Sequence, residues 1–404
     1  PSRPASPPDA PRGGKAIDLM SGKPMDLDAA SVPETRVISW EAPPGRMDPV
    51  RRVLRNSRPE GTSAGPAPGR SFISKPPAQP VGAAETRENP IIPEPAPPAD
   101  TEPEVFRQLR ERPLDPVSYA NLADFFDTRG DAPRAALMRE IVEALAGREV
   151  PVSRLQRPPL TADERAGLRH PGLRTTSGEL LAYAGIALCR LFPAQGRAAD
   201  ASEPLRAVAG PGAPAVLDAL HTSARVLAVN LPELVLAEDD GPPFTAVHTD
   251  KPRLLVGRAA IHQPLPAAEL RFHAGRALVS LSPDLLALRA LKGAQLLRAL
   301  ALLSTVLKNP KDSSSDARLV RETLSPRALE RTLELLDSGT RDFNASALAD
   351  AARDSANRAG LVACGGVGPA VTVIRSRRSN DSELVELLRF AASERYLALR
   401  VPAR

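Results

Sequence analysis

Apolar residues recur at helical spacing in two adjacent segments, one starting at Pro116 and the other ending at Gly147. The polar residues Arg129, Gly130 and Asp131 separate the two segments. The apolar positions are Tyr119, Leu122, Ala123 and Phe126 in the first segment and Ala135, Met138 and Val142 in the second. Two amphipathic segments joined by so short a turn bury their apolar faces against each other, so the pattern predicts an antiparallel helix pair.

After a Pro-rich link at 151–159, the pattern predicts a helical domain that contains one small β-sheet. Helical spacing first predicts helices over 161–168, 177–191 and 213–229. Short apolar runs bounded by Gly, Pro and Asp then predict strands over 233–237, 244–248 and 253–257. Helical spacing returns after Pro266 and predicts helices over 267–281, 284–308, 316–336, 344–362, 366–376 and 381–399, the last with a capping box between Asn380 and Glu383. The expected fold class is mainly α.

Proline is concentrated at the start of the chain, where 22 of the 44 prolines precede Val105. Proline interrupts every periodic run there, and the apolar residues are too sparse to offset the entropy of ordering. The sequence therefore predicts three parts: a disordered Pro-rich tail over 1–104, the helix pair over 105–150 and the helical domain over 151–404.

Composition excludes several classes of protein. The 53 basic and 48 acidic residues are interspersed, without the contiguous basic face that nucleic-acid binding needs. Charged residues interrupt the longest apolar run, so we expect no membrane span. Two isolated cysteines, Cys189 and Cys364, predict no disulfide framework and favour a reducing cytoplasm. Arginine outnumbers lysine 46 to 7, which suggests a GC-rich bacterial genome; the oligomeric state stays open.

The helix pair resembles a tetratricopeptide repeat. The residues at the offsets where that repeat carries its large, small and turn residues are Tyr119, Leu122, Ala123, Phe126, Gly130, Asp131 and Ala135. One repeat cannot bury its own face, so this pair must stack on other helices. The resemblance implies a surface that binds other proteins.

The segment from Phe244 to Leu281 has the order strand, strand, link and buried helix, and it resembles the segment that leads into the active-site helix of HtpX-like zinc metallopeptidases. That helix carries His-Glu-x-x-His, in which two histidines one turn apart bind zinc and the glutamate activates its water. The string in register here is Phe272-His273-Ala274-Gly275-Arg276. The glycine is kept, and both ligands are replaced.

A second part of this resemblance lies downstream, where the peptidases place Glu-x-x-Ala-Asp. The corresponding residues are Arg353 at the third zinc ligand, Ala356 at the alanine and Asn357 at the supporting aspartate. Phe272, Arg276 and Arg353 offer no lone pair to a metal, so the resemblance implies that zinc is not bound. Without a metal-bound water, His273 has no proton to remove and is interpreted as a packing residue.

Two further expectations concern side chains, the first from the same alignment and the second from the spacing of the histidines. A carboxylate, either Asp350 or Asp354, is expected to bridge to Arg276; the alternative is that Arg276 and Arg353 both extend to solvent. The other histidines lack ligand spacing, although His248 and His262 flank the strand pair and could meet in space.

Taken together, residues 105–400 resemble the C-terminal part of large tetratricopeptide repeat proteins of myxobacteria and their relatives, with a degenerate metallopeptidase domain. The resemblance implies an architecture and carries no established activity. The function expected is a non-catalytic protein-binding scaffold of a bacterial cytoplasm, with no cofactor or metal, that binds other proteins through the repeat surface or the tail. The alternative is an active hydrolase or peptidase with a displaced metal site.

Overall fold

The computed structural model describes residues 16–17, 24–25, 103–148, 152, 157–193, 205, 210–237, 240–248, 252–377 and 380–400. The chain divides into two compact units, Pro1–Arg36 and Val37–Arg404. In the first unit, β1 (Ala16–Ile17) and β2 (Pro24–Met25) form an antiparallel pair. The rest of the predicted disordered tail up to residue 102 lies outside the described residues.

The predicted helix pair is confirmed. Helix α1 (Glu104–Glu111) packs on α2 (Pro116–Asp127), and α2 packs on α3 (Ala132–Leu145). The turn before α3 depends on Gly130, whose φ of 74° lies in the left-handed region that glycine adopts without strain. Asp131 then starts α3, because its carboxylate accepts a hydrogen bond from the Arg134 amide.

The small β-sheet is also confirmed. Helices α4 (Ala162–Leu168), α5 (Thr176–Leu191) and α6 (Ala213–Leu227) precede strands β3 (Glu233–Leu236), β4 (Phe244–His248) and β5 (Pro252–Val256). A 3-10 turn, Pro171–Leu173, lies between α4 and α5. The strand order is β3-β5-β4, with β5 parallel to β3 and antiparallel to β4.

The remaining helices make up most of the second unit. They are α7 (Arg258–His262), α8 (Ala267–Val279), α9 (Pro283–Ala290), α10 (Gly293–Lys308), α11 (Ser315–Thr323), α12 (Pro326–Arg341), α13 (Ala345–Cys364), α14 (Val367–Ser376), α15 (Asp381–Ala391) and α16 (Glu394–Arg400). Among the described helices, none combines the length and the apolar character needed to cross a lipid bilayer.

Three predictions of single long helices, over 284–308, 316–336 and 381–399, are wrong because each region forms two helices. The backbone is extended at Leu291, between α9 and α10, and at Leu324, between α11 and α12. Pro326 lacks an amide hydrogen and disfavours helical backbone at the residue before it, so α11 cannot continue. Ser393 separates α15 from α16, and the short α7 was not predicted.

Helix α13 is the centre of the second unit. It packs against α6, α8, α9, α14 and α15, and every residue from Asp354 to Cys364 is buried. Its most extensive contact is with α8, where Gly275 faces Gly360. A β-carbon on Gly275 would lie 2.7 Å from that of Ala363, and one on Gly360 would lie 2.8 Å from the Phe272 carbonyl oxygen. Only glycine allows this close crossing.

Candidate functional site

The residues aligned with the peptidase ligands lie on the two helices that cross. Phe272 and Arg276 are one turn apart on α8, and both are buried. Arg353 and Asn357 are one turn apart on α13. Arg276 and Phe272 both contact the Gly360 position, so the crossing brings the two α8 side chains against α13.

A buried carboxylate from a third helix joins this crossing. Glu383, in the first turn of α15, is 3% exposed. Its Oε1 accepts hydrogen bonds from Asn357 Nδ2 at 2.9 Å and from Arg377 Nη1 at 3.4 Å. Arg276 Nη2 lies 3.6 Å from the same oxygen. We call these four residues, Arg276, Asn357, Arg377 and Glu383, the Glu383 cluster.

The expected bridge from Asp350 or Asp354 to Arg276 is wrong. Both carboxylates bind Arg353 on their own helix, Asp350 to Nη1 at 2.8 Å and Asp354 to Nε at 3.0 Å. Asp350 lies three residues before Arg353, where helical side chains are neighbours, and Asp354 follows Arg353 directly, so both pairs form within α13. Arg276 stays buried, and its ion-pair partner is the carboxylate of Glu383 on α15.

Arg353 nevertheless belongs to the electrostatic surroundings of the cluster. Burial lowers its pKa, but the carboxylates of Asp354, Asp350 and Glu383 outweigh burial and raise the pKa overall. Its side chain is only 26% exposed. Arg353 therefore remains positively charged, and the charge of Glu383 contributes to this.

The aromatic pair at Phe272 and His273 borders the cluster on the α8 side. The guanidinium carbon of Arg276 lies 5.7 Å from the centre of the Phe272 ring, a cation–π distance. Burial and, secondly, the charge of Arg377 lower the pKa of His273 to about 4. His273 is therefore neutral near pH 7, and no nucleophile hydrogen-bonds to it among the described contacts.

The arrangement does not provide a metal site. Among the residues that the structure describes, no group of three or more His, Cys, Asp or Glu side chains is placed to hold a metal ion. His248 lies opposite Pro252 at the start of β5, whereas His262 ends α7, which follows the other end of that strand. Burial raises the pKa of both Cys189 and Cys364, so neither thiol is readily ionised.

The chemistry of the cluster is that of a clamp between helices. One carboxylate oxygen receives the Asn357 amide and the charges of Arg276 and Arg377. Two polar atoms, Nε of Arg276 and Oδ1 of Asn357, are buried without a partner among the described residues. Cavities of about 800 and 340 Å³ lie elsewhere in the described part of the chain, and neither of them is lined by a cluster residue.

Sequence reasoning missed Glu383 and Arg377 as members of this site. The only signal at Glu383 was the capping box, and half of that box exists: the Asn380 side chain accepts from the Glu383 amide at 3.3 Å. The Glu383 carboxylate turns inward instead of returning to the Asn380 amide. A single sequence does not show whether a glutamate three residues after the N-cap completes a capping box or forms buried contacts.

No protein-family model, no curated protein and no solved structure matches this chain. The resemblances to tetratricopeptide repeats and to zinc metallopeptidases rest on the residues quoted for them.

Proposed function

We propose that this protein is a non-catalytic protein-binding scaffold, and that its metallopeptidase-like frame is held together by an ion cluster in place of a metal. The observation that carries the proposal is the placement of Arg276 and Asn357 at Glu383, with Phe272 beside Arg276, at the crossing of α8 and α13. In the peptidases that these residues resemble, the corresponding positions surround zinc.

Electrostatics supports a loss of metal binding. A divalent cation needs lone pairs from neutral imidazole or carboxylate. Phe272, Arg276 and Arg353 supply none, and the guanidinium groups of Arg276 and Arg377 already occupy the carboxylate of Glu383. Two fixed positive charges beside the only buried acid of the cluster would also repel a metal ion.

The surface of the helix pair supports the binding role. Val117 on α2 is 60% exposed, the largest exposure among the exposed large apolar side chains described. In the turn that follows this helix, the guanidinium carbon of Arg129 lies 3.7 Å from the centre of the half-buried Phe125 ring of α2. Arginine and aromatic residues are enriched at protein interfaces. We place the partner on this face, and we propose a bacterial cytoplasmic location because both cysteines are free and buried.

The metal arm of the proposal is tested by zinc analysis of protein purified without added metal. We expect no stoichiometric zinc and no casein cleavage that a chelator inhibits. The triple variant Phe272→His, Arg276→His and Arg353→Glu should bind zinc, whereas Phe272→His alone should not, because one ligand is too few. Stoichiometric zinc and chelator-sensitive cleavage in the unchanged protein would establish the alternative, a peptidase with a displaced site.

The triple variant also tests the peptidase-like frame. If it folds, as judged by its circular dichroism, and binds no zinc, the three positions do not share a metal-sized space. The alignment with the metallopeptidases would then be wrong. This conclusion would hold even if the unchanged protein contained no zinc.

The binding arm is tested by affinity capture with the chain as bait. We expect Val117→Asp to lose the captured partners, because a charge at the centre of an apolar contact must be desolvated. Leu297→Asp is the matched control, since Leu297 on α10 is 50% exposed and lies outside the helix pair. If both variants captured the partners equally well, the binding surface would not include Val117 on α2.

A further inference from the structure

A second, separate site is indicated by an open cavity of about 800 Å³ between α4, α13, α15 and α16. Its lining includes three arginines on three different helices: Arg358 on α13, Arg389 on α15 and Arg395 on α16. Apolar walls come from Phe390 and Leu399. None of these residues belongs to the Glu383 cluster.

Arg358 is a buried cation that makes no ion pair with any residue that the structure describes. It is 8% exposed, and its Nε is buried without a hydrogen-bond partner among the described residues. Its guanidinium lies against the Phe390 ring, at 4.8 Å from the ring centre, and Nη1 makes only a 3.5 Å contact to the Arg169 carbonyl. The two nearest acids are committed elsewhere: Asp354 binds Arg353, and Glu386 binds Arg389.

The neighbours of Arg358 increase the local positive charge. Desolvation lowers the pKa of Arg358, and the positive charges of Arg395 and Arg174 lower it further. The negative charges of Glu386 and Asp354 raise it, but the pKa stays below its usual value. Arg395 makes no ion pair with a described residue and donates only to the Gly167 carbonyl, at 3.3 Å. A buried guanidinium beside a second unpaired guanidinium is costly unless an anion lies between them.

The acids that line the same cavity do not cancel this charge. Glu164 is engaged with Arg157 and with the Thr161 amide, and Glu394 is engaged with Arg134. Arg157 and Arg134 lie outside the lining of the cavity. Asp163 is the remaining acid, so the lining groups without an ion pair to a described residue are Arg358, Arg395 and Asp163, which leaves one excess positive charge.

We propose that this cavity binds a phosphate group through Arg358 and Arg395, with Arg389 at its rim. Phosphate is a tetrahedral group that carries up to two negative charges. Guanidinium groups that approach from different helices therefore suit a phosphate better than a planar carboxylate with a single charge. The side chain of Arg389 is 67% exposed and stays paired with Glu386, so it keeps that carboxylate away from Arg358. This inference does not depend on the peptidase-like frame or on the scaffold function.

The proposal is tested by titrating the full chain with inorganic phosphate in a calorimeter, against chloride of equal ionic strength. We expect saturable binding and a phosphate-dependent rise in the unfolding temperature. Arg395→Gln should weaken phosphate binding about tenfold or more, because it removes a charge-assisted contact. Arg298→Gln, at an exposed arginine of α10, is the matched control and should leave the affinity unchanged.

Arg358→Lys is the second variant, since it keeps the charge and removes the planar donor set. It should also weaken phosphate binding if it folds; if it does not fold, Arg395→Gln decides alone. The proposal is overturned if the unchanged protein shows no saturable phosphate binding, if Arg395→Gln binds phosphate as tightly as Arg298→Gln, or if acetate binds as tightly as phosphate.

Two further probes identify the source of the phosphate group. Glycerol phosphate represents small phosphate esters, and a phosphoserine peptide represents a phosphorylated protein. Binding of all three probes with equal affinity assigns the site to the phosphate group itself. Tighter binding of the peptide than of glycerol phosphate assigns a phosphorylated protein segment as the natural source.

Discussion

Glu383 shows how one acid side chain can serve three elements at once. It lies in the first turn of α15, accepts a hydrogen bond from the amide of Asn357 on α13 and neutralises Arg276 on α8. Its replacement by a neutral group leaves the guanidinium of Arg276 buried without a carboxylate, and an uncompensated buried charge costs more than the intact pair contributes. The stability of the crossing should therefore depend strongly on the charge of this residue.

We expect Glu383→Gln to lower the free energy of unfolding by about 3 kcal/mol, measured by urea denaturation at neutral pH. Glu334→Gln is the control, because Glu334 forms an exposed pair with Arg331, and solvent-exposed pairs contribute little to stability. If the two variants lose the same free energy, the Glu383 cluster does not clamp the helices.

His273 makes the stability depend on pH. Burial and the charge of Arg377 lower the pKa of the folded imidazole from 6.5 to about 4. Between these two values the unfolded chain binds a proton that the folded chain does not, so stability is lost as the pH falls from 6.5 to 4 and is regained as it rises. The loss attributable to His273 is at most about 3 kcal/mol.

His273→Gln should therefore flatten the fall in unfolding free energy between pH 7 and pH 4 relative to the unchanged protein. The comparison is made by urea denaturation at several pH values, with His262→Gln as the control at an exposed histidine. Parallel curves for His273→Gln and the unchanged protein would contradict a depressed pKa at this site.

At the scale of elements, periodicity predicted where the helices lie better than where they end. The strands and the α2–α3 pair were found because apolar spacing and turn residues agree there. The splits at Leu291, Leu324 and Ser393 were missed because apolar residues continue across them. At Leu324 the sequence does contain a boundary signal, because Ser325 caps α12 and Pro326 opens it, although the apolar spacing continues through it.

The crossing of α8 and α13 gives a prediction at the element scale. Gly360→Ala should lower the free energy of unfolding by about 2 kcal/mol, although alanine favours helix, because overpacking against the Phe272 carbonyl outweighs the gain. Gly293→Ala is the control; its β-carbon would meet only Ala345, at 4.0 Å. Thermal denaturation that ranks the two variants equally would show that the helices can separate at little cost.

At the scale of the whole molecule, the helix pair is attached to the body through specific polar contacts. Glu140 on α3 accepts from the Val367 amide at 2.7 Å and pairs with Arg400 of α16. Arg375 on α14 donates to the Leu145 carbonyl at 3.0 Å. The sequence predicted that the pair needs a helical neighbour but not which one, because contacts so distant in the chain leave no local pattern. The boundary at residue 150 stays a prediction.

Two truncations test this attachment. A chain that begins at residue 103 should unfold at the same temperature as the full chain, as expected for a Pro-rich tail that contributes few buried contacts. A chain that begins at residue 157 should unfold about 10 °C lower, because it uncovers α14 and α16. Two results would contradict this assignment of the stabilising contacts. One is a large fall in unfolding temperature for the chain that begins at residue 103, and the other is an unchanged unfolding temperature for the chain that begins at residue 157.

The uninterrupted burial of α13 also determines how the protein exchanges its amide hydrogens with deuterated solvent. The amides from Asp354 to Cys364 are enclosed by neighbouring helices, so they exchange only when the whole body opens. Helix α1 has no buried residue, and its amides exchange through local fraying. The slowest protons of α13 therefore report the global free energy of unfolding directly, without denaturant.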